Sequence, residues 1–333
     1  MRQIVLFSTL LMLVLSSTLL AGKSKVGTTA YPFLKIGVGA KALSMGGAFV
    51  GLANDESAIY YNPAGLIGMQ TKALSASYMN YIADIQSGSV MFVMPKGTTE
   101  TEEDQYSYDE EDEPTIYDSK SALAFAITYL SYGTIDETNS SGQVIGDFSG
   151  SDMAFTLGYA NKVAKQLSVG ANVKFIYQKI DEFSSQGIAA DLGLLYRLKD
   201  GRTNLGLSAS NLGVQLSGLS EEHKDPLPIL IRAGLSHRLR EIPITVSGEG
   251  VMPTDNDLYG AIGLEFQPDK IPLAVRAGYS SFGSNYKTDG DKDNTAGFSF
   301  GAGFAFPKIN IDYAFLPYAD LGSLHRVNLA YRW

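Results

Sequence analysis

The sequence predicts an all-β fold, a transmembrane antiparallel β-barrel of about 14 strands, and three observations predict it. The chain ends on His325-Arg326-Val327-Asn328-Leu329-Ala330-Tyr331-Arg332-Trp333, in which the odd positions from Val327 are apolar and the last residue is the sole Trp. Short segments with the same period of two recur from about residue 71 onward. Beyond residue 21 there is no long apolar run, although 45% of residues are hydrophobic and the chain holds 35 Gly and 19 Tyr. A barrel strand needs only every second residue greasy, because one face meets lipid and the other the lumen, with aromatics at the interfaces. A half-buried soluble strand alternates identically, so the terminal segment alone leaves both readings open.

Residues 1–21 carry Arg2, the apolar runs Ile4-Val5-Leu6-Phe7 and Leu10 to Leu15, then Ser16-Ser17-Thr18 and a small residue at Ala21 or Gly22. This predicts a cleaved secretory signal peptide. The alternative is an anchoring helix, for which the apolar core is short against the roughly 20 residues of a bilayer span. Leu19 and Leu20 stand where a small residue is preferred, so the cut site is not fixed. The chain has no Cys, which excludes a lipoprotein anchor and a disulfide framework.

Residues 22–70 do not alternate. Small residues dominate them and allow close backbone packing in a confined space. Gly37, Gly39, Gly46, Gly47 and Gly51 invite comparison with a phosphate-cradling loop, but no buried strand precedes them and no Lys-Ser/Thr pair follows. Asn62-Pro63-Ala64-Gly65 has a local meaning as a turn into the first strand, since Asn and Pro begin turns and Gly tolerates a positive φ.

Residues 71–333 supply the strands. Leu74, Ala76 and Tyr78 mark the first, and thirteen more follow, among them Leu123 to Tyr129, Leu167 to Tyr177, Ile188 to Tyr196, Leu273 to Tyr279 and Phe298 to Phe306. An even number puts both barrel ends in the periplasm, where turns are short. The connections at 161–166, 199–202, 240–241, 268–270 and 307 fit that side; 133–147, 213–226 and 282–294 read as longer external loops. Closure predicts that the last strand pairs with Leu74-Ala76-Tyr78, with Val327, Leu329, Tyr331 and Trp333 as a lipid-facing assembly signal.

One connection departs from this rule. Residues 97–118 should be periplasmic, yet they form a 22-residue insertion with ten acids, Glu100 and Asp118 being the first and last. Without these ten, the formal net charge of −9 becomes +1. A solvated loop is the plain reading. A calcium-binding or partner-docking role is the sharper one, weakened by the lack of EF-hand spacing.

Strand parity points Lys174, Asp191, Arg197, Arg232, Arg238, Glu249, Glu265, Arg276, Asp312, Arg326 and Arg332 inward, where charges are tolerable at bilayer depth. They read as a bracing network in the lumen or as a substrate-selecting ring, with Arg232, Glu249, Glu265 and Arg276 expected to form one pairing cluster. No catalytic constellation is legible around His223, His237 and His325, and no metal set is spaced for ligation. A sequence pI near 4.9 sets nucleic acid aside as a partner. No cofactor is expected.

Ala42-Leu43-Ser44-Met45-Gly46-Gly47-Ala48-Phe49-Val50-Gly51, then Asp55, then Tyr60-Tyr61-Asn62-Pro63-Ala64-Gly65-Leu66, resembles the amino-terminal signature of the PorV/PorQ family, which is related to FadL-type long-chain fatty-acid transporter barrels. Asp312 to Tyr318 and Asp320-Leu321-Gly322 before His325-Arg326 resemble that family's closing hairpin. The resemblance implies a barrel in the bacterial outer membrane with residues 22–70 as a luminal hatch, in which Gly46, Gly47, Asp55, Asn62, Pro63, Ala64 and Gly65 form the hatch motif. It implies no enzyme. The PorV branch implies an accessory of protein secretion, a type IX-like shuttle or assembly role with secretion-system components and cargo carboxyl-terminal domains as partners. The transporter branch implies a passive route for a hydrophobic ligand. An apolar cavity inside the barrel would favour the second.

Overall fold

Alternation of apolar and small or polar residues produces fourteen antiparallel strands in the computed structural model, which describes residues 26–81, 85–99, 118–220, 223–268 and 270–333. The signal peptide expected at 1–21 and most of the acidic insertion lie outside the described residues. The strands are β1 (Ala73–Asn80), β2 (Gln86–Thr99), β3 (Asp118–Thr138), β4 (Val144–Lys162), β5 (Leu167–Ile180), β6 (Phe183–Arg197), β7 (Thr203–Ser217), β8 (Leu230–Arg238), β9 (Ile244–Pro253), β10 (Tyr259–Phe266), β11 (Leu273–Ser280), β12 (Phe298–Ala305), β13 (Ile309–Pro317) and β14 (Ser323–Arg332). Each pairs with its sequence neighbours, and β14 returns to β1 to close the ring. The closing register sets Leu74 opposite Tyr331, Ala76 opposite Leu329 and Tyr78 opposite Val327, as the terminal alternation predicts. Closure leaves no sheet edge, which is what lets strands satisfy their backbone groups inside lipid.

Outward residues form an apolar surface. Leu157, Val173, Leu192, Leu264 and Leu329 are exposed on it, while their strand neighbours Thr156, Lys174, Asp191, Glu265 and Asn328 are buried within. A closed antiparallel ring with an apolar outer belt and a polar interior is the form of an integral outer-membrane barrel. Below, the end where β1 starts and β14 stops is called proximal, and the other distal.

The distal hairpins correct one expectation. Residues 133–147 are not a long loop: β3 and β4 run on to leave only 139–143, where the Asn139 amide donates to the Gln143 carbonyl and the Asn139 side chain accepts from Ser141 and Gln143 amides. Beyond the membrane both strand faces meet water, so the apolar period fades while Thr, Ile and Val keep the chain extended. β5 and β6 join through Asp181 and Glu182 alone, with Asp181 at φ +54°. β7 likewise continues to Ser217, inside the expected loop 213–226; at the proximal end β2 and β3 extend into the acidic stretch, where Thr99 pairs with Asp118. The loop between β11 and β12 carries two 3-10 turns, Ser281–Tyr286 and Asp293–Thr295.

Residues 26–72 fold inside the ring as short turns and helices: Pro32–Lys35, Ala40–Ser44, Ala58–Tyr61 and Pro63–Gly68. Met45, Phe49, Ile59, Leu66 and Ile67 are fully buried against wall residues such as Met91, Val93, Ala122 and Ala124. The contact is close because the wall presents glycines there. A Cβ on Gly170 would strike Ala64 and Pro63, one on Gly206 would strike Val50, and one on Gly278 would strike Gly46. The segment thus lies in recesses made by missing side chains.

Candidate functional site in the lumen

The motif Asn62-Pro63-Ala64-Gly65 is an anchor. Asn62 caps the 3-10 turn by accepting from the Ala64 amide at 3.2 Å, and its Nδ2 donates to the carbonyls of Val50 and of Leu194 in the wall, each at 2.9 Å. Pro63 occupies the first helical position, where its missing N–H is harmless. Gly65 packs on the Ala53 carbonyl, and Gly46 and Gly47 turn the chain at φ +69° and +82°. The Gly46 amide donates to Ser299 Oγ on β12. Asp55 accepts from the amide and hydroxyl of Ser57. The motif residues therefore position backbone; Gly46 and Gly47 border a cavity with backbone alone, and of the motif only Asp55 presents an ionisable side chain to one.

The four expected charges separate into two groups instead of one cluster. Arg232 Nη1 meets Glu249 Oε1 at 2.7 Å, and Glu249 Oε2 accepts from the Phe49 and Val50 amides at 2.8 and 2.7 Å. Arg276 meets Glu265 and Asp312, both at 2.6 Å, and Lys41 adds a contact to Glu265 at 3.1 Å. The division arises because the luminal segment supplies separate partners, two amides to one pair and Lys41 to the other. Lys174 and Asp191 pair at 2.8 Å, with Asp191 also accepting from Asn172 and from the amide of Asn211, a bulge residue at φ +63°. At the proximal rim Arg197 and Lys162 share Asp118, and Arg332 meets Glu56 at 2.9 Å. Arg238, expected inward, is exposed at that rim because its strand ends there. Arg326 is fully buried and has no carboxylate partner among the described residues; its nearest contacts are Ser77 Oγ at 3.4 Å and Met79 Sδ at 2.9 Å.

A cavity of about 270 Å³ occupies the distal half of the lumen, above the packed segment. Its walls are aromatic: Tyr61, Tyr81, Tyr259, Phe282, Tyr286 and Tyr318, while the Phe298 side chain lies on the outer face. Tyr286 and Tyr318 lie with ring centroids 4.2 Å apart, and Tyr81 stands edge-on to Tyr318 at 5.9 Å. Burial pushes the Tyr286 and Tyr318 hydroxyls up, which keeps them neutral. Leu43, Met79 and Arg232 contribute to the same lining, and Pro32 to Gly37 border it as a strap. Lys35 on that strap pairs with the buried Asp255, to which Thr29 also donates at 2.7 Å. A smaller space of about 30 Å³ lies beneath the strap and shares Tyr61 and Arg232 with the main cavity. A polar basin of about 200 Å³ at the proximal end is lined by Lys41, Asp55, Arg276, Asp312 and Arg332.

The histidines are scattered. His223 is exposed and contacts Asp225, His237 bonds Thr203, and His325 bonds Tyr313. Among the described residues no group of three or more His, Asp or Glu is placed to hold a metal. Sequence reasoning missed the cavity aromatics Phe282, Tyr286 and Tyr318, since they sit in loops without a strand period. It also missed Lys41 and Glu56, because the segment that carries them has no period. Glycine at inward wall positions was the signal that could have shown where that segment docks.

No family model matches the sequence, and no curated protein matches it. Solved structures do share the fold. The toluene transporter TbuX of Ralstonia pickettii superposes with a TM-score of 0.56 at 15% identity, over 89% of this chain and 98% of that one. The toluene transporter TodX of Pseudomonas putida gives 0.55 at 14%, over 88% and 96%. A FadL homologue of Pseudomonas aeruginosa gives 0.52 at 12%, over 88% and 98%. These likenesses carry the fold of FadL-type barrels, and not the narrower PorV/PorQ assignment.

Proposed function

We propose that this protein is a passive route for hydrophobic small molecules across the outer membrane. The observation that supports it is the cavity of about 270 Å³ walled by six aromatic side chains in the distal half of the lumen. Apolar pockets with a few convergent polar groups are where small ligands bind, and the proteins of similar fold include two toluene transporters. With the proximal end in the periplasm, a solute enters between the distal loops and rests among Tyr259, Phe282 and Tyr318. The hatch, residues 22–70, then closes the proximal half, and onward movement requires it to shift. The PorV/PorQ secretion reading keeps the motif resemblance in its favour and gains nothing from the cavity.

The test is uptake. Cells expressing the protein should accumulate radiolabelled toluene faster than cells expressing Phe282→Asp, which places a charge in the cavity wall. Equal rates in both, and in cells without the protein, would sink the reading. Co-purification with secreted proteins that share a carboxyl-terminal domain would point to the secretion role instead.

A further inference from the structure

The outer wall carries a recess of its own, separate from the lumen. It lies over β12 and β13 at the distal end and measures about 660 Å³, within the range of roughly 300–1,000 Å³ typical of small-molecule sites. Its floor is Phe298, Phe300 and Phe315, which face outward because their strand neighbours Ser299, Ala314 and Leu316 are buried within. The Phe298 and Phe300 rings lie 6.5 Å apart and nearly parallel, at 8°, and Phe300 stands opposite Phe315 in the ladder. Lys292, Asn294 and Thr295 border this floor from the β11–β12 loop, beyond the end of the strand, and Pro317 and Ser323 bound it from the β13–β14 side. The two loops meet where Thr288 Oγ1 donates to Asp320 at 3.3 Å.

The recess spans the level at which lipid gives way to headgroups. From Phe306 at the proximal turn to Phe298, the outward face of β12 rises roughly 20 Å, at about 3.3 Å per residue and a tilt of about 40°, against an apolar band of about 25 Å. Phe298 therefore stands near the distal edge of that band, and Lys292 beyond it. Lys292 is the one charged residue in the lining, and its ammonium meets no carboxylate among the described residues. The neighbouring acids are engaged elsewhere or face water. Asp293 accepts from the amides of Thr288 and Asp289 at 3.0 and 2.9 Å, while Asp289 and Asp291 are exposed outside the lining. Thr295 donates its amide and its hydroxyl to the Lys292 carbonyl, at 2.9 and 2.7 Å, which fixes the backbone that carries the cation.

We infer that this recess binds a phosphorylated, many-chained glycolipid of the outer leaflet, of the lipid A class. One acyl chain lies on Phe298, Phe300 and Phe315, a headgroup phosphate meets Lys292, and Asn294, Thr295 and Ser323 offer neutral hydrogen bonds to the sugar. With both chain ends at the periplasmic rim, the distal recess belongs to the outer leaflet, where that lipid resides. A compact cation at the head of an aromatic slot matches an anionic head on an apolar chain. A neutral solute leaves Lys292 without a counter-charge. The site is independent of whatever solute the lumen carries.

The experiment is native mass spectrometry of the full-length protein in a non-ionic detergent, titrated with lipid A bearing both phosphates, with the same lipid dephosphorylated, and with phosphatidylglycerol. Diphosphorylated lipid A should bind at least about fivefold more tightly than the dephosphorylated form, the scale of one Lys at an anionic lipid surface. Lys292→Gln should remove that preference and leave binding of the dephosphorylated form unaltered, whereas Phe300→Ala should weaken both. Lys179→Gln, on β5 across the ring, should change neither. If Phe300→Ala does not assemble, Lys292→Gln decides the matter, since it alters a loop outside the ladder. An undiminished preference in Lys292→Gln overturns the inference, and so does phosphatidylglycerol that binds as tightly as lipid A. A dimer that Phe300→Ala dissociates assigns the recess to a second copy of the chain and overturns it as well.

Discussion

Arg332 on the closing strand donates from Nε to Glu56 of the luminal segment at 2.9 Å, so the ring and its filling share an ion pair at the proximal rim. Glu56 is 2% exposed while the Arg332 side chain keeps a wet edge. Arg332→Met should therefore destabilise the segment by roughly 2 kcal/mol, below the figure for a wholly buried pair. Limited proteolysis should cut residues 50–60 faster in the variant. Unchanged cutting would show that the pair does not hold the segment.

Gly193 tests the docking. An alanine there would bring its Cβ within 2.8 Å of Pro63 Cδ and closer still to Asn62 Oδ1. Gly193→Ala should cost about 1–3 kcal/mol through overpacking, and hydrogen exchange at residues 58–66 should quicken while the barrel ladders stay protected. If those amides remain protected, the anchor role of Asn62-Pro63 is wrong.

Asp55 should make the segment sensitive to pH. Burial, followed by the charge of Glu56, pushes its carboxyl up to about 6 from an ordinary 3.8, against Lys41 and the Ser57 hydrogen bond. The folded state then binds a proton that the unfolded chain has lost between those values, so this group's contribution to stability falls as pH rises from about 4 to about 6 and is flat above. Amides 54–58, corrected for intrinsic exchange, should be better protected at about pH 5 than at about pH 7. Asp55→Asn should remove the difference.

Trp333 extends the closing ladder. Its amide donates to the Lys72 carbonyl at 3.0 Å and its carbonyl accepts from the Lys72 amide at 3.1 Å, with its ring stacked on Tyr331 and Phe92. Deleting it should lower the fraction of heat-modifiable, folded barrel far more than Glu110→Gln in the acidic insertion. Equal folded fractions would remove the assembly role.

Leu192 tests the lipid face of β6, where it is exposed next to the buried Asp191. Leu192→Arg should destabilise the barrel in vesicles by roughly 2–4 kcal/mol if it lies near the midplane. Urea unfolding with no loss would place it outside the apolar zone.

The closing pair of Leu74 to Tyr78 with Val327 to Tyr331 was legible because lipid on one face and packed lumen on the other impose a strict period. Thr134 to Val144 was misjudged as loop because, with water on both faces, nothing imposes one. Parity alone placed Arg232, Glu249, Glu265 and Arg276 inward. Parity could not divide them, since the division is made by Lys41 and by the amides of Phe49 and Val50, which come from a segment without a period. The same limit hid Phe282, Tyr286 and Tyr318, which reach the cavity from loop backbone. Arg326 stood in the inward set as one charge among many; only three-dimensional placement shows it without a carboxylate partner among the described residues.

The glycine recesses also bear on how the ring is made. The segment is joined to β1 by a few residues and seated in hollows contributed by β5, β7 and β11, while every one of the fourteen strands is bonded on both sides. A finished ring of that kind offers no seam through which such a fitted body could be slid sideways. The segment can be seated only before β14 meets β1 or along the barrel axis through an open end, so its fit and the closure of the wall constrain one another.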